Sequence, residues 1–260
     1  RGAPKLLTRR FMLQNKWAET GVCIIRLPMK NRFLSLEKWS AGSEVALSFA
    51  ESHHLSRVLR LQAGEEIELV NGQGDVALAW ILEVSPKKSR VLVRTISTEC
   101  LRSSVTIAFG IAKQSACDFI IHRCTEIGVA GFQPLLTRHS IHPKQWNGER
   151  WRKVVWEVCK QCQETFFPVV HEPLSLDDWL KRRSPVPLVY CYELERETRQ
   201  VSWVPGSVDI LIGPEGGWDN AEVEKFRALD GIALGLGKNR LRTEMAAVVA
   251  HEIRNPLGSI

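Results

Sequence analysis

The chain has 260 residues, 44% of them hydrophobic and 25% charged, which is typical of a globular protein with one or two domains and a sizeable core. This composition excludes disordered, collagenous and coiled-coil chains, and no apolar run reaches the roughly 18 residues that a membrane span needs. The formal charge of +6 favours anionic partners such as RNA, but a simply solvated basic surface fits the charge as well.

Residues 1–30 form a basic extension in which Glu19 is the lone acid. Such a segment is typical of organelle transit sequences, so a chloroplast or mitochondrial location is one interpretation; an RNA-contacting arm and plain upstream sequence are the alternatives. Seven cysteines, an odd number in a long chain, indicate reduced thiols and favour a cytoplasmic location. Cys159 and Cys162 form a single C-x-x-C pair, which we interpret as packing residues, and we expect no metal site.

Residues 31–100 have the pattern of short strands, which predicts a small β-barrel or sandwich. The glycine turn at residues 71–75 predicts a hairpin, and only residues 51–61 have apolar side chains at helical spacing. The predicted strands are 45–47, 66–70, 76–81 and 91–93.

Residues 101–260 alternate between strands and helices, which predicts an α/β domain with a mostly parallel sheet. Asp219 and Glu222 form a capping box that places a helix start beside them. The predicted strands are 105–109, 132–136, 188–191, 208–212 and 232–234, and the predicted helices are 116–127, 150–163, 221–228 and one from Thr243 onward.

Two apolar runs in the last quarter each end at a glycine-rich turn, at residues 213–217 and 235–237. In an open α/β sheet, ligands lie outside the carboxyl ends of the strands, where glycine lets the backbone approach them. These turns therefore predict a small-molecule pocket. No G-x-G-x-x-G follows the first strand of this half, and Gly237-Lys238 lacks the upstream glycine of a P-loop, so dinucleotides and nucleoside triphosphates fit poorly.

Four motifs in order resemble the ribosomal RNA small-subunit methyltransferase E family, SPOUT-class enzymes that methylate N3 of a uridine in small-subunit ribosomal RNA. They are residues 53–61, Lys113 with 125–129, residues 212–217, and residues 236–237 with 241–244 and Ala246. The resemblance spans about residues 31–247. It implies a PUA-like β-barrel RNA-binding domain at 31–100 and a SPOUT domain at 101–260 with a C-terminal trefoil knot, an exception to the rule against knotted chains.

The resemblance also implies a homodimer that binds S-adenosylmethionine in the knot loops. Arg242 is our candidate for the cation that stabilises the uracil anion, and Glu244 could orient it; anion binding and helix capping are their alternative roles. The predicted cofactor-binding residues are Tyr190, Cys191, Glu193, Ile212, Gly213, Pro214, Glu215, Gly216, Gly217, Leu234, Gly235, Leu236, Gly237, Leu241, Thr243 and Ala246.

Small-subunit ribosomal RNA, free or in the assembled subunit, is the implied partner. For His54 a packed helix end is the alternative role, and for Trp146, Trp151 and Trp156 we favour packing over stacking on bases. The predicted RNA contacts are His54, Arg57, Arg60, Lys113, Arg123 and Arg138.

The second loop departs from the family pattern, because residues 238–240 replace a proline-arginine pair followed by an aliphatic residue, and Met245 stands where threonine is usual. Two alternatives therefore stay open: an inactive RNA-binding or ribosome-assembly factor of the same fold, and a SPOUT methyltransferase with another RNA target. Residues 251–257 resemble the phosphoacceptor box of sensor histidine kinases. Since no ATP-binding domain accompanies that box, we expect a C-terminal helix of the methyltransferase fold.

Overall fold

The computed structural model describes residues 31–99, 104–142, 148–193 and 206–254. The predicted extension at residues 1–30 and Trp146 lie outside these residues. The described part of the chain contains two β-sheets, a five-stranded one in the N-terminal half and a seven-stranded one in the C-terminal half.

The five-stranded sheet has the order β1-β3-β4-β5-β2 and forms a small domain. Val70 pairs with Val76 across the glycine turn, as the predicted hairpin requires. The strand β1 was not predicted; it is three residues long and pairs in parallel with β3. The elements are β1 (Arg32–Leu34), β2 (Glu44–Ala46), α1 (Phe49–His53) with a π-helical turn (His54–Val58), β3 (Glu66–Val70), β4 (Asp75–Glu83) and β5 (Arg90–Thr98).

The seven-stranded sheet has the order β12-β10-β11-β6-β7-β8, with β9 also beside β7, and all of these pairings are parallel. The predicted strands and helices of this half are confirmed, whereas β8, β9 and α4 were missed. The elements are β6 (Val105–Gly110), α2 (Gln114–Glu126), β7 (Gly131–Leu136), α3 (Gly148–Cys162), β8 (Val169–Val170), β9 (Leu174–Ser175), α4 (Leu176–Arg182), β10 (Leu188–Cys191), β11 (Val208–Ile212), α5 (Asn220–Ala228), β12 (Ile232–Leu234) and α6 (Thr243–Arg254).

Helices cover both faces of the parallel sheet, which explains why its strands are apolar on both sides. On one face α2, α3 and α6 pack through Ile120, Val155 and Ala247. On the other face α4 and α5 pack through Trp179 and Phe226. The predicted capping box at the start of α5 is present, with the Asp219 and Glu222 side chains each bonded to the other's backbone N–H.

The two domains meet where the hairpin turn of the small domain packs on the segment after α3. Gly72 and Gly74 have φ of +77° and +95°, and a Cβ on either would collide with the rings of Phe167 and Phe166. The Phe167 N–H donates to the Gly72 carbonyl at 2.9 Å. Only glycine therefore permits this close contact.

A buried pair of opposite charges spans the same junction. Glu51 on α1 is buried, and its carboxylate lies 3.7 Å from the Lys160 ammonium on α3. Burial raises the pKa of Glu51, and Lys160 opposes that rise. The Lys160 ammonium also lies 5.5 Å from the Phe33 ring, so this cation on α3 contacts two residues of the small domain, Glu51 and Phe33.

Cys159 of the C-x-x-C pair and the histidine of the phosphoacceptor-like box are buried, whereas Cys162 is exposed, so only Cys159 is the packing residue that we expected. Desolvation raises the pKa values of both thiols, more strongly that of Cys159, which disfavours the thiolates that zinc or redox chemistry needs. His251 is fully buried on α6, so the structure gives it a packing position rather than the accessible one of a phosphoacceptor.

No group of three or more histidine, cysteine or acidic side chains placed to hold a metal ion occurs among the described residues. None of the described helices has the length and apolar character to cross a membrane.

We predict that Asp209→Ala lowers the free energy of unfolding by about 3 kcal/mol, because the change strands a largely buried guanidinium. Arg183 and Asp209 form an ion pair at 2.8 Å with side chains only 9% and 11% exposed. Urea unfolding followed by circular dichroism measures the loss.

Asp177→Ala is the matched control, because it breaks an exposed ion pair with Lys225. Its expected cost is below about 1 kcal/mol. Equal losses in the two variants would contradict the energetic role of the Arg183–Asp209 pair.

Candidate active site

A cleft of about 1030 Å³ opens at the carboxyl ends of β10, β11 and β12. Both predicted glycine turns lie on it, together with the start of α2 and the start of α6. The lining residues are Lys113, Ser115, Ala116, Phe119, Cys191, Tyr192, Glu193, Ile212, Gly213, Pro214, Glu215, Gly216, Gly217, Trp218, Asn220, Leu236, Gly237, Lys238, Asn239, Arg240, Leu241, Arg242, Thr243, Glu244 and Ala246.

The first glycine turn packs on the end of the neighbouring strand β6. A Cβ on Gly110 would lie 2.5 Å from Pro214 Cδ, so the turn rests directly on a glycine backbone. The turn closes when the Gly217 N–H donates to the Pro214 carbonyl at 2.9 Å, with Gly217 at φ +74°. Trp218 Nε1 donates to the Cys191 carbonyl at 3.0 Å and ties the turn to β10.

The second glycine turn leads directly into α6. Gly237 lies in the cleft with φ +105°, and a Cβ added there would meet no atom within 4 Å. The Arg242 carbonyl accepts from the Ala246 N–H at 2.9 Å, so the helix begins at this arginine. The positive end of the helix dipole therefore faces the cleft and favours an anion there.

Two ion pairs lie on the rim of the cleft. Lys113 is 3.5 Å from Glu215, and Arg240 is 2.7 Å from Glu193. All four side chains are well exposed, so these pairs contribute little to stability. Within the described residues, Arg242 takes part in no ion pair, which leaves its charge available to a ligand.

Two further groups in the cleft have defined electrostatic roles. Burial raises the pKa of the Cys191 thiol to about 12, so this side chain stays neutral at physiological pH. Glu244 lies in the first turn of α6, where the helix dipole favours a carboxylate. This position supports the capping role that the sequence left open for Glu244.

Most of the predicted cofactor-binding residues line the cleft, but Tyr190, Leu234 and Gly235 do not. Tyr190 is 2% exposed, and its ring packs 5.2 Å from that of Phe226 in the core beneath α5. Leu234 is 1% exposed on the α6 side of the sheet. Tyr190 and Leu234 lie on opposite faces of the sheet, and both faces are covered by helices, so both side chains are buried in a core.

The structure also adds a wall that sequence reasoning missed. Ser115, Ala116 and Phe119 of α2 line the cleft, as does Trp218. The available signal for the α2 wall is Lys113, which precedes a helix and follows a buried strand. The sequence assigns Lys113 to RNA binding, whereas the structure places it on the cleft beside Glu215.

The predicted RNA contacts fall into two groups. Lys113 lies on the cleft. Arg138 follows β7, and its backbone N–H donates to Glu222 Oε1 at 2.9 Å beside the first glycine turn. Arg123 is exposed on α2 and forms an ion pair with Glu126 at 2.8 Å. Contact of these residues with RNA stays a prediction.

The second group lies on the small domain. Arg57 and Arg60 are exposed, but His54 packs edge-on against Phe33 with ring centroids 6.1 Å apart. Burial, with Lys160 nearby, lowers the pKa of His54 and favours the neutral ring. These contacts support the alternative role of His54, a packed helix end.

The two described tryptophans of α3 are packing residues, as we favoured. Trp151 is 4% exposed, and its Nε1 donates to Asp118 at 2.9 Å. The Trp156 ring lies 5.2 Å from that of Phe167 at the domain junction.

Comparison with known proteins gives the class to which this fold and cleft belong. A family model described as an RNA methyltransferase domain matches residues 99–255, and one described as an RNA methyltransferase PUA domain matches residues 50–93. The chain is therefore built as an RNA methyltransferase with a PUA-like domain.

Two relatives and one solved structure narrow the class. The ribosomal RNA small subunit methyltransferases E of Synechocystis and Bacillus subtilis are 31% and 30% identical to this chain. The alignments cover 79% and 85% of this chain, and 71% and 94% of the relatives. A methyltransferase structure from Legionella pneumophila with bound S-adenosylmethionine has a TM-score of 0.79 at 25% identity, covering 88% of this chain and 98% of that one. The chain belongs to the ribosomal RNA small subunit methyltransferase E family.

We predict that Gly110→Ala displaces the first glycine turn, because the new methyl group would overlap Pro214. We expect a loss of about 1–3 kcal/mol in unfolding free energy, which is typical of overpacking. Hydrogen exchange should be faster at the Gly217 amide, which closes this turn.

Gly64→Ala is the control, because Gly64 belongs to the small domain and its added Cβ meets no atom within 4 Å. Its backbone has φ +89°, so some strain is expected, but exchange at Gly217 should not change. Unchanged exchange at Gly217 in Gly110→Ala would disprove the supporting role of Gly110.

Proposed function

We propose that this chain transfers a methyl group from S-adenosylmethionine to N3 of a uridine in small-subunit ribosomal RNA. The observation that carries the proposal is the cleft formed by both glycine turns, with Arg242 at its mouth. Family membership supports the reaction class, and the Legionella pneumophila structure with its bound cofactor supports the donor.

The residues of the cleft fit this cofactor. The first and second turns offer backbone groups, and Ile212, Leu236, Leu241 and Phe119 offer apolar surface for an adenine ring. The carboxylate of Glu215 suits the ribose hydroxyls or the sulfonium charge. When bound, the cofactor would supply an electrophilic methyl group and leave as the neutral thioether S-adenosylhomocysteine, while the N3 proton of the uracil is released to water.

The chain's own residues perform two tasks in this proposal. The turns hold donor and acceptor in alignment, which lowers the entropic part of the barrier. Arg242, at the positive end of α6, stabilises the negative charge that develops on the uracil ring as the N3 proton leaves. Glu244 holds the start of α6 and thereby the position of Arg242.

We also propose the finer features that the family resemblance implies. These are a trefoil knot at the C-terminal segment, a homodimer, and RNA contacts by Arg57 and Arg60 of the small domain. The return of α6 across β6 and β11, after the edge strand β12, supports a threaded C-terminus. The enzyme would act where small subunits assemble, in the cytoplasm, or in a chloroplast or mitochondrion if residues 1–30 include a transit segment.

The test is incubation of unmethylated small subunits with the protein and isotope-labelled S-adenosylmethionine, followed by mass spectrometry of the nucleosides. We expect to find labelled 3-methyluridine among the nucleosides of the small-subunit RNA. Label on a ribose 2′-oxygen would indicate another RNA target. Binding of RNA without cofactor binding or turnover, measured by calorimetry, would favour an inactive assembly factor.

We predict that Arg242→Ala lowers kcat by about 10²–10³-fold, because it removes a cation that acts on charge formed in the transition state. The affinity for S-adenosylmethionine should change by less than about threefold, since the turns that hold the cofactor keep their structure. Single-turnover kinetics and calorimetry measure the two quantities.

Arg152→Ala serves as the control, because Arg152 is an exposed arginine on α3 that pairs with Glu149 and Glu172 outside the cleft. Its kcat should equal that of the unmodified protein. If Arg242→Ala kept both its activity and its cofactor affinity, Arg242 would have no catalytic role.

A further inference from the structure

The loop between β12 and α6 places three cations at alternate positions. Lys238, Arg240 and Arg242 are all on the surface of the cleft and all line it. Arg242 has a role in the proposed chemistry, but Lys238 and Arg240 have none. A row of cations beside a cleft attracts a polyanion more strongly than a small ligand.

Arg240 is held in a defined orientation. Its Nε atom lies 2.7 Å from Glu193 Oε2, so the ion pair joins the loop after β12 to the end of β10. Among the described residues Glu193 is the one ion-pair partner of Arg240, and Lys238 has no ion-pair partner. A guanidinium that is anchored along one edge by a carboxylate still has N–H donors on its other edge, and these can bind a phosphate.

Depth in the cleft separates these cations from the proposed cofactor site. Ile212, Thr243 and Ala246 are 1%, 7% and 9% exposed and form the deep wall. The Arg240 side chain is 67% exposed at the rim. A ligand that contacts Arg240 must therefore extend out of the cleft, as an RNA chain does when one of its nucleotides enters.

We propose that Lys238 and Arg240 form a phosphate-binding clamp for the RNA backbone next to the target nucleotide, with Glu193 as the residue that positions Arg240. This inference rests on the proposed function and adds to it a site for the phosphodiester. The carboxylate of the cofactor is a second anion that could reach Arg240, and the experiment separates the two.

The test measures binding of transcribed small-subunit ribosomal RNA at a series of KCl concentrations, by filter retention, for the unmodified protein and for Arg240→Gln and Lys238→Gln. Each change should weaken RNA binding about tenfold at low salt and reduce the slope of log Kd against log salt by about 1. The affinity for S-adenosylmethionine, measured by calorimetry without RNA, should stay within about twofold. Arg152→Gln, which removes an exposed arginine on α3, is the control and should leave the slope unchanged.

Glu193→Gln tests whether Glu193 acts by positioning Arg240 or only through its negative charge. The change removes a negative charge from the rim, so charge alone predicts tighter RNA binding. Loss of the anchor for Arg240 predicts the opposite, a KM for RNA raised about threefold to tenfold with the salt slope retained. Arg240→Lys keeps the charge without the fork and should show a similar rise in KM.

An unchanged salt slope in both Arg240→Gln and Lys238→Gln would overturn the clamp, and weaker cofactor binding with normal RNA binding would assign Arg240 to the cofactor carboxylate instead. Tighter RNA binding by Glu193→Gln would overturn the positioning role. The proposed function is tested separately by the unmodified protein: if it methylates RNA while the variants behave normally, only the clamp fails.

Discussion

The contact between the backbone of Gly110 and the ring of Pro214 fixes the shape of the cleft. Because β6 and β11 are adjacent parallel strands, their carboxyl ends lie side by side, and the turn after β11 must fold over the end of β6. Glycine at position 110 leaves room for that fold. The turn then meets β10 through Trp218 and the His139 segment through Gly216, so one close approach organises three neighbouring loops.

Charge is distributed in the cleft according to depth. The deep wall is apolar or neutral, and burial keeps the Cys191 thiol protonated. The rim carries paired charges at Lys113–Glu215 and Arg240–Glu193, which water screens and which therefore cost little to rearrange. A neutral interior with a charged entrance suits a site that takes a small cofactor from solvent and a nucleotide from a large polyanion.

The sequence was sufficient for the elements with strong periodicity and for the glycine turns, because these depend on local side-chain patterns and on backbone freedom. Short pieces such as β1, β8 and β9 escaped prediction, since two or three residues pair only when a distant strand is already present. The pocket residues between positions 212 and 246 were mostly found from motifs. Tyr190 and Leu234 do not line the cleft because helices cover both faces of the sheet, so a side chain on either face is buried in a core. The wall from α2 was missed because it depends on how the helix packs.

The contact of Gly72 and Gly74 with Phe166 and Phe167 has a consequence for the energetics of recognition. A hinge requires loosely packed residues where the chain passes between domains. Here the rings of Phe166 and Phe167 pack directly on the glycine backbone, and Glu51 and Lys160 form a second contact between the domains. The span from the outer surface of the small barrel to the mouth of the cleft is therefore set before any ligand arrives. The protein would therefore lose little conformational entropy when it binds RNA. Whether an RNA binds would then depend on how well its shape matches the protein surface, because the protein does not adjust to it.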